Sequence, residues 1–355
     1  MTHGVLPSQA LEAMLSRGEI TVTAPLVEGQ VQPASLDLRL GTVAYRVRAS
    51  FLAGAGTPVA DRLADFEMHR MSLDGGAVLE KGCVYLVPLM ESLALPHGIT
   101  AVANAKSSTG RLDLLTRVIT DGGTEFDRIP EGYAGPLYAE ICPRSFSVLV
   151  RPGMRLNQIR FRQGEAVLSD SAMAALHAET PLVDGTPLIS EGLGFSVDLK
   201  PNKGDLVGYR AKPHTGVIDL DNIGHYTPHD YWEEVRTTDG RIILDPGAFY
   251  ILVSREAVTI PPQYAAEMAP YLAMVGEFRV HYAGFFDPGF GHGVPARGVL
   301  EVRCHEAPFV LEHGQIVGRL VYEAMTQVPN VLYGTDMKSN YQGQGLKLSK
   351  HFAAP

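Results

Sequence analysis

Lys106-Ser107-Ser108, followed by Arg111, places two hydroxyls and two cations within six residues, just after a strand-like run over 99–105. A turn of that composition can present backbone N–H groups, hydroxyls and positive charge to one polyphosphate. The plain alternative is a solvated strand-to-helix turn with Ser107 as its N-cap. Downstream, Phe286-Asp287-Pro288-Gly289-Phe290 reads as a tight turn, with Pro fixing φ and Gly allowing φ > 0 beside an aromatic wall. A nucleoside fits there, its sugar hydroxyl held by Asp287, although an Asp-Pro-Gly turn can equally be only a turn. Glu301 lies in the apolar run Val299-Leu300-Glu301-Val302, and Glu140 in Leu137-Tyr138-Ala139-Glu140-Ile141. A carboxylate in such a strand either faces solvent by alternation or is buried, which would suit it to proton transfer. The polar, Gly-rich stretch with Tyr333, Lys338, Tyr341, Gln344 and Lys347 can fold over a ligand, its lysines on phosphate. Frayed chain ends have the same composition.

These residues belong to two tandem copies of one domain. Gly82 aligns with Gly247, Tyr85 with Tyr250, Pro96 with Pro261, Asp127 with Asp287, Glu140 with Glu301 and Gly153 with Gly314. The period of about 160 to 165 residues is far longer than a solenoid repeat. Opposite 106–111 the second copy is aligned as Ala269-Pro270-Tyr271-Leu272-Ala273-Met274, which holds no group suited to a phosphate, whereas the first copy lacks the polar tail. The copies therefore divide one nucleotide site between them.

The elements carrying these groups are strand-like runs bounded by Gly, Pro or Asp, with a short helix over 7–17 capped by Ser8 and ended by Gly18, and another over 171–177. Among the 355 residues, 37 glycines and 24 prolines favour an all-β fold with many tight turns. Residues 1–165 are read as the first domain, 166–212 as a surface connector and 213–355 as the second domain. The formal net charge of −9 argues against a general affinity for nucleic acid or anionic membrane. Three widely spaced cysteines, Cys83, Cys142 and Cys304, and the absence of an export signal or membrane span fit a cytoplasmic protein. His177-Ala178-Glu179 matches half of a zinc deaminase signature, but the required downstream Cys pair is missing, so no zinc site is expected.

In combination and in this order, 32–41 (Gln-Pro-Ala-Ser-Leu-Asp-Leu-Arg-Leu-Gly), 106–112, 286–290, Leu300-Glu301 and 341–344 resemble the deoxycytidine triphosphate deaminase family of the dUTPase-like superfamily. The resemblance implies two tandem dUTPase-like distorted β-barrels, jelly-roll-like, with a few short helices. It implies hydrolysis of dCTP to dUTP and ammonia without zinc, Mg²⁺ entering with the nucleotide, a homo-oligomer, and dTTP as an inhibitor. Carried over by residue, Glu301 is the general base; Ser107 and Arg111 orient it and the water. Lys106 and Ser108 hold phosphate oxygens, Asp287 binds the 3′-hydroxyl, Val299 lies against the substrate, and Tyr333, Lys338, Tyr341 and Gln344 close over it. Two other functions stay open: a dUTP diphosphatase or bifunctional enzyme, and a non-catalytic nucleotide-binding regulator.

Overall fold

The computed structural model describes residues 3–200, 204–270, 278–280, 284–334 and 345–354. The chain forms two compact units. One comprises Met1–Ala166 with Gly216–Ile223 and Met325–Val331; the other comprises Val167–Thr215, Gly224–Ala324 and Leu332–Pro355. The fold is all-β, with a few short helices.

In the first unit, one antiparallel sheet has Arg155–Gln163 and Ile99–Ala105 at its centre, with Gly4–Val5, Leu36–Arg39 and Arg128–Ile129 around them. A second sheet centres on Val84–Ala94 and Ala134–Pro143, flanked by Val43–Val47 and Leu114–Thr120. The second unit repeats both cores. Ile316–Ala324 pairs with Tyr264–Pro270, and Phe249–Val258 with Ala296–Cys304. Alternation explains the burial: Leu300, Val302 and Cys304 point into one apolar core with Phe195, Leu252 and Tyr322, each large side chain stabilising by about 1.5 to 3 kcal/mol.

The two copies share devices down to single hydrogen bonds. The Tyr85 hydroxyl accepts from the Glu80 N–H at 3.0 Å and the Tyr250 hydroxyl from the Asp245 N–H at 2.9 Å; burial pushes both phenols above their usual pKa. Gly82 and Gly247 turn at φ 81° and 72°, a left-handed conformation open to glycine.

The ladders correct two of the sequence alignments and add a third correspondence. Ile129 lies opposite Ala101 and Phe286 opposite Ala266, so Pro130, not Asp127, stands where the second copy has Asp287. Asp127 corresponds to Gly284: its carbonyl accepts from Ala103 as that of Gly284 accepts from Met268. Ala105 lies opposite Asn157 and Pro270 opposite Gly318, so the counterpart of Lys106 is residue 271, two positions later than expected and outside the described residues. Third, the Arg39 N–H donates to Glu91 at 2.8 Å as the Ser196 N–H donates to Glu256 at 2.8 Å. Leu193–Ser196, within the expected connector, is therefore the second copy of Leu36–Arg39, and it pairs with Ile316–Ala324. The second compact unit includes Val167–Thr215. The two helices expected from the sequence run over Ser8–Arg17, with Pro7 in the cap position in place of Ser8, and over Asp170–Glu179, where Ser169 accepts from the Ala172 N–H.

Candidate active site

Strand Ile99–Ala105 delivers the chain into a single helical turn, Ser107–Gly110, through an extended Lys106. Lys106 occupies the cap position without a side-chain capping bond, and its carbonyl accepts from the Thr109 and Gly110 N–H groups at 2.8 and 3.0 Å. The Ser107 hydroxyl is therefore not the cap of this turn, contrary to the plain turn reading. Ser107 is half-buried, while Ser108 and Arg111 are buried. The Lys106 ammonium reaches both carboxylate oxygens of Asp37, which is 1% exposed. Arg155 Nη1 stands 3.3 Å from the same carboxylate. Asp37 and Arg155 thus join the predicted phosphate segment. The signal for them was present in the 32–41 motif and just beyond Gly153, but their convergence depends on long-range strand pairing, Arg155–Gln163 lying between Leu36–Arg39 and Ile99–Ala105.

In the second unit the 286–290 turn is built as its sequence dictates. The Phe290 N–H donates to the Asp287 carbonyl at 3.0 Å, and Gly289 sits at φ 94°. Asp287 is buried. Phe286 and Phe290 meet edge to face with centroids 5.0 Å apart, and Tyr333 lies over Phe290 at 5.7 Å. The Tyr333 N–H donates to the Pro288 carbonyl at 3.0 Å. Asp287 and Tyr333, 46 positions apart by number, are thereby brought to one turn. Lys338, Tyr341 and Gln344 lie outside the described residues.

Glu301 lies in the strand Ala296–Cys304 opposite Ile251, on the face it shares with Val299 and away from the core residues Leu300 and Val302. It is nevertheless 2% exposed, so the solvent-facing alternative fails for this residue. Glu140 is equally buried at 3%. Arg117, opposite it on Leu114–Thr120, donates to its carboxylate from Nε at 3.2 Å and from Nη2 at 2.5 Å. The Arg117 guanidinium stacks over Phe126, 3.6 Å from the ring centroid. With Pro130 in the place of Asp287, the first copy has a glutamate engaged by a cation and no carboxylate at the matching turn.

His177 of the His-x-Glu sequence accepts the Leu182 N–H through Nδ1 at 3.1 Å, a structural contact. Among the described residues no group of three or more His, Cys, Asp or Glu side chains is arranged to hold a metal, and no described helix is long and apolar enough to cross a membrane. A cavity of about 520 Å³ in the second unit is lined by Asp184, Asp198, Lys200, Arg255, Glu256 and Arg297 among others. It is not lined by Glu301 or Asp287, and its formal charges cancel, so the chemistry argued from these residues lies elsewhere.

The 2′-deoxycytidine 5′-triphosphate deaminase N-terminal domain model matches residues 2–165, and the C-terminal domain model of the same family matches residues 169–352. The crystal structure of 2′-deoxycytidine 5′-triphosphate deaminase from Agrobacterium tumefaciens is similar with a TM-score of 0.88 and 57% identity, covering 92% of this chain and 100% of that one. A dCTP deaminase of Halorubrum lacusprofundi is 29% identical over 153 residues, 42% of this chain and 72% of its own length. A dUMP-forming dCTP deaminase of Coprothermobacter proteolyticus is 29% identical over 141 residues, 39% of this chain and 72% of its own.

Proposed function

The chain belongs to the 2′-deoxycytidine 5′-triphosphate deaminase family and is an enzyme that deaminates dCTP; from that premise we propose that it releases dUTP and ammonia with Glu301 as general base. The observation that carries this reading is that the unit of Glu301 also holds the buried Asp287 and Tyr333 at the 286–290 turn, where the unit of Glu140 has Pro130 in the place of Asp287.

In the proposed reaction the Glu301 carboxylate takes a proton from water as its oxygen attacks C4 of cytosine. The tetrahedral carbon then expels the 4-amino group as ammonia, Glu301 returning the proton to that nitrogen, and the remaining hydroxyl proton passes to N3 as the broken C4–N bond is replaced by C4=O. No zinc is required, because a buried carboxylate with preorganised donors can stabilise the developing charge. Ser107 and Arg111 orient Glu301 and the water, and Lys106 and Ser108 bind phosphate. Asp287 takes the 3′-hydroxyl, Val299 contacts the base, and Tyr333, Lys338, Tyr341 and Gln344 close over the nucleotide. Magnesium is part of the substrate, carried by its triphosphate as is usual for this ion. We further propose a reducing, cytoplasmic setting, which Cys83, Cys142 and Cys304 fit as cysteines outside any disulfide, a homo-oligomer and inhibition by dTTP.

An assay following ammonia and pyrophosphate together tests this. Glu301→Gln is expected to lower kcat by at least about 10³-fold, as for loss of an essential acid–base group, with Glu140→Gln within about twofold of the parent. Loss of turnover in Glu140→Gln with activity retained in Glu301→Gln would reverse the assignment. Pyrophosphate released in step with ammonia would favour a dUMP-forming reaction, as some relatives are named for.

A further inference from the structure

We propose that Arg155 is an additional ligand of the substrate's triphosphate, and that Asp37 is the positioning residue holding Arg155 and Lys106 side by side for it. This rests on the reading of Lys106 and Ser108 as phosphate ligands.

Three separate strands converge on the Asp37 carboxylate. Asp37 itself lies in Leu36–Arg39, Arg155 opens Arg155–Gln163, and Lys106 follows Ile99–Ala105, its N–H donating to the Leu156 carbonyl at 2.9 Å. The acid is buried, with its side chain 1% exposed, while the cations are 23% exposed at Lys106 and 34% at Arg155. One carboxylate between two cations leaves a net positive charge whose accessible part belongs to the cations. Two like charges would repel each other in the free enzyme; the shared buried acid removes that repulsion and fixes both side chains before phosphate arrives. Among the described residues, every contact of the Arg155 guanidinium runs through Nη1, to the Gly29 carbonyl at 2.9 Å, the Glu28 carbonyl at 3.5 Å and Asp37. Its Nε and Nη2 groups remain for the paired contact an arginine makes with phosphate oxygens.

The second copy supplies an internal comparison. By strand register Gly194 stands where the first copy has Asp37 and Ile316 stands for Arg155, and the residue that follows Pro270 in the sequence, as Lys106 follows Ala105, is a tyrosine. Acid and both cations are present together in the copy carrying Ser107-Ser108 and missing together from the other. A purely structural ion pair supporting the barrel would be needed in both.

Kinetics of the full-length enzyme with Mg·dCTP, with inorganic tripolyphosphate as competitor, test the proposal. Arg155→Met is expected to raise KM for dCTP and the inhibition constant of tripolyphosphate by about tenfold or more, the loss of one charge-assisted contact. Its kcat should change far less, and Arg155→Lys should recover part of the loss. Asp37→Asn should raise the same two constants; if that variant does not fold, Arg155→Met alone decides. The proposal is overturned if Lys106→Met raises both constants while Arg155→Met leaves them unchanged. If Lys106→Met also leaves both unchanged, the phosphate reading of 106–111 fails instead. A lowered melting temperature with unchanged KM in Arg155→Met would mark a structural role and also overturn it.

Discussion

What a buried glutamate can do depends on its neighbours, and Glu140 is the clearest case in this chain. Its carboxylate accepts two bonds from Arg117, which is anchored by Phe126 and by a 3.1 Å bond to the Ser50 hydroxyl. A base already committed to a fixed cation is poorly placed to take a proton from water. Removing the cation should therefore damage the fold and leave the chemistry intact. Arg117→Met is expected to destabilise the protein by about 2 to 4 kcal/mol, since breaking a buried pair leaves an uncompensated charge and Arg117 is only partly buried. Adding Glu140→Gln should recover part of that loss, as read from urea denaturation of the single and double variants. A rise in deamination in Arg117→Met would instead show that Glu140 is a base held in check.

At the scale of elements, the 286–290 turn links Asp287 to the start of the C-terminal stretch through Gly289. A Cβ there would lie 3.0 Å from the Tyr333 carbonyl oxygen and 3.2 Å from its nitrogen, in a backbone at φ 94°. Gly293, at φ 82°, has nothing within 4 Å of the same added atom. Both Gly→Ala changes carry the left-handed penalty of about 1 kcal/mol, but only Gly289→Ala pushes on Tyr333. Gly289→Ala should thus raise KM for dCTP several-fold beyond Gly293→Ala, with the larger drop in melting temperature; equal kinetics in the two variants would detach Tyr333 from substrate binding. The turn was legible because Pro288 and Gly289 restrict the backbone by themselves. Its counterpart in the first copy was not. Asp127 attracts the alignment by identity, yet it lies three residues before Pro130, and only hydrogen-bond register separates them. Asp127 has another use, accepting the Val118 N–H at 2.7 Å.

Over the whole molecule the two copies have diverged in complementary ways. The first keeps Asp37, Lys106, Arg155 and the Ser-Ser turn, with Pro130 and an engaged Glu140. The second keeps Asp287, Glu301 and Tyr333, with Gly194 and Ile316 where the acid and the arginine would be. The all-β class and the duplication were legible from the strand-like runs and paired Gly, Tyr and Pro positions, because these act locally. The start of the second unit was not, since Leu193–Ser196 has lost the Asp and Arg that mark Leu36–Arg39 and is recognisable only by its partners. The same complementarity fixes the expected number of nucleotides bound. If each unit were an independent enzyme, a chain would take up two molecules of dCTP. With neither copy retaining a full set, calorimetric titration of the Glu301→Gln variant with Mg·dCTP should give one nucleotide per chain. A stoichiometry of two would mean that the first unit binds a sugar without a carboxylate at the Asp287 position, and that its departures from the second unit are changes of specificity and not losses.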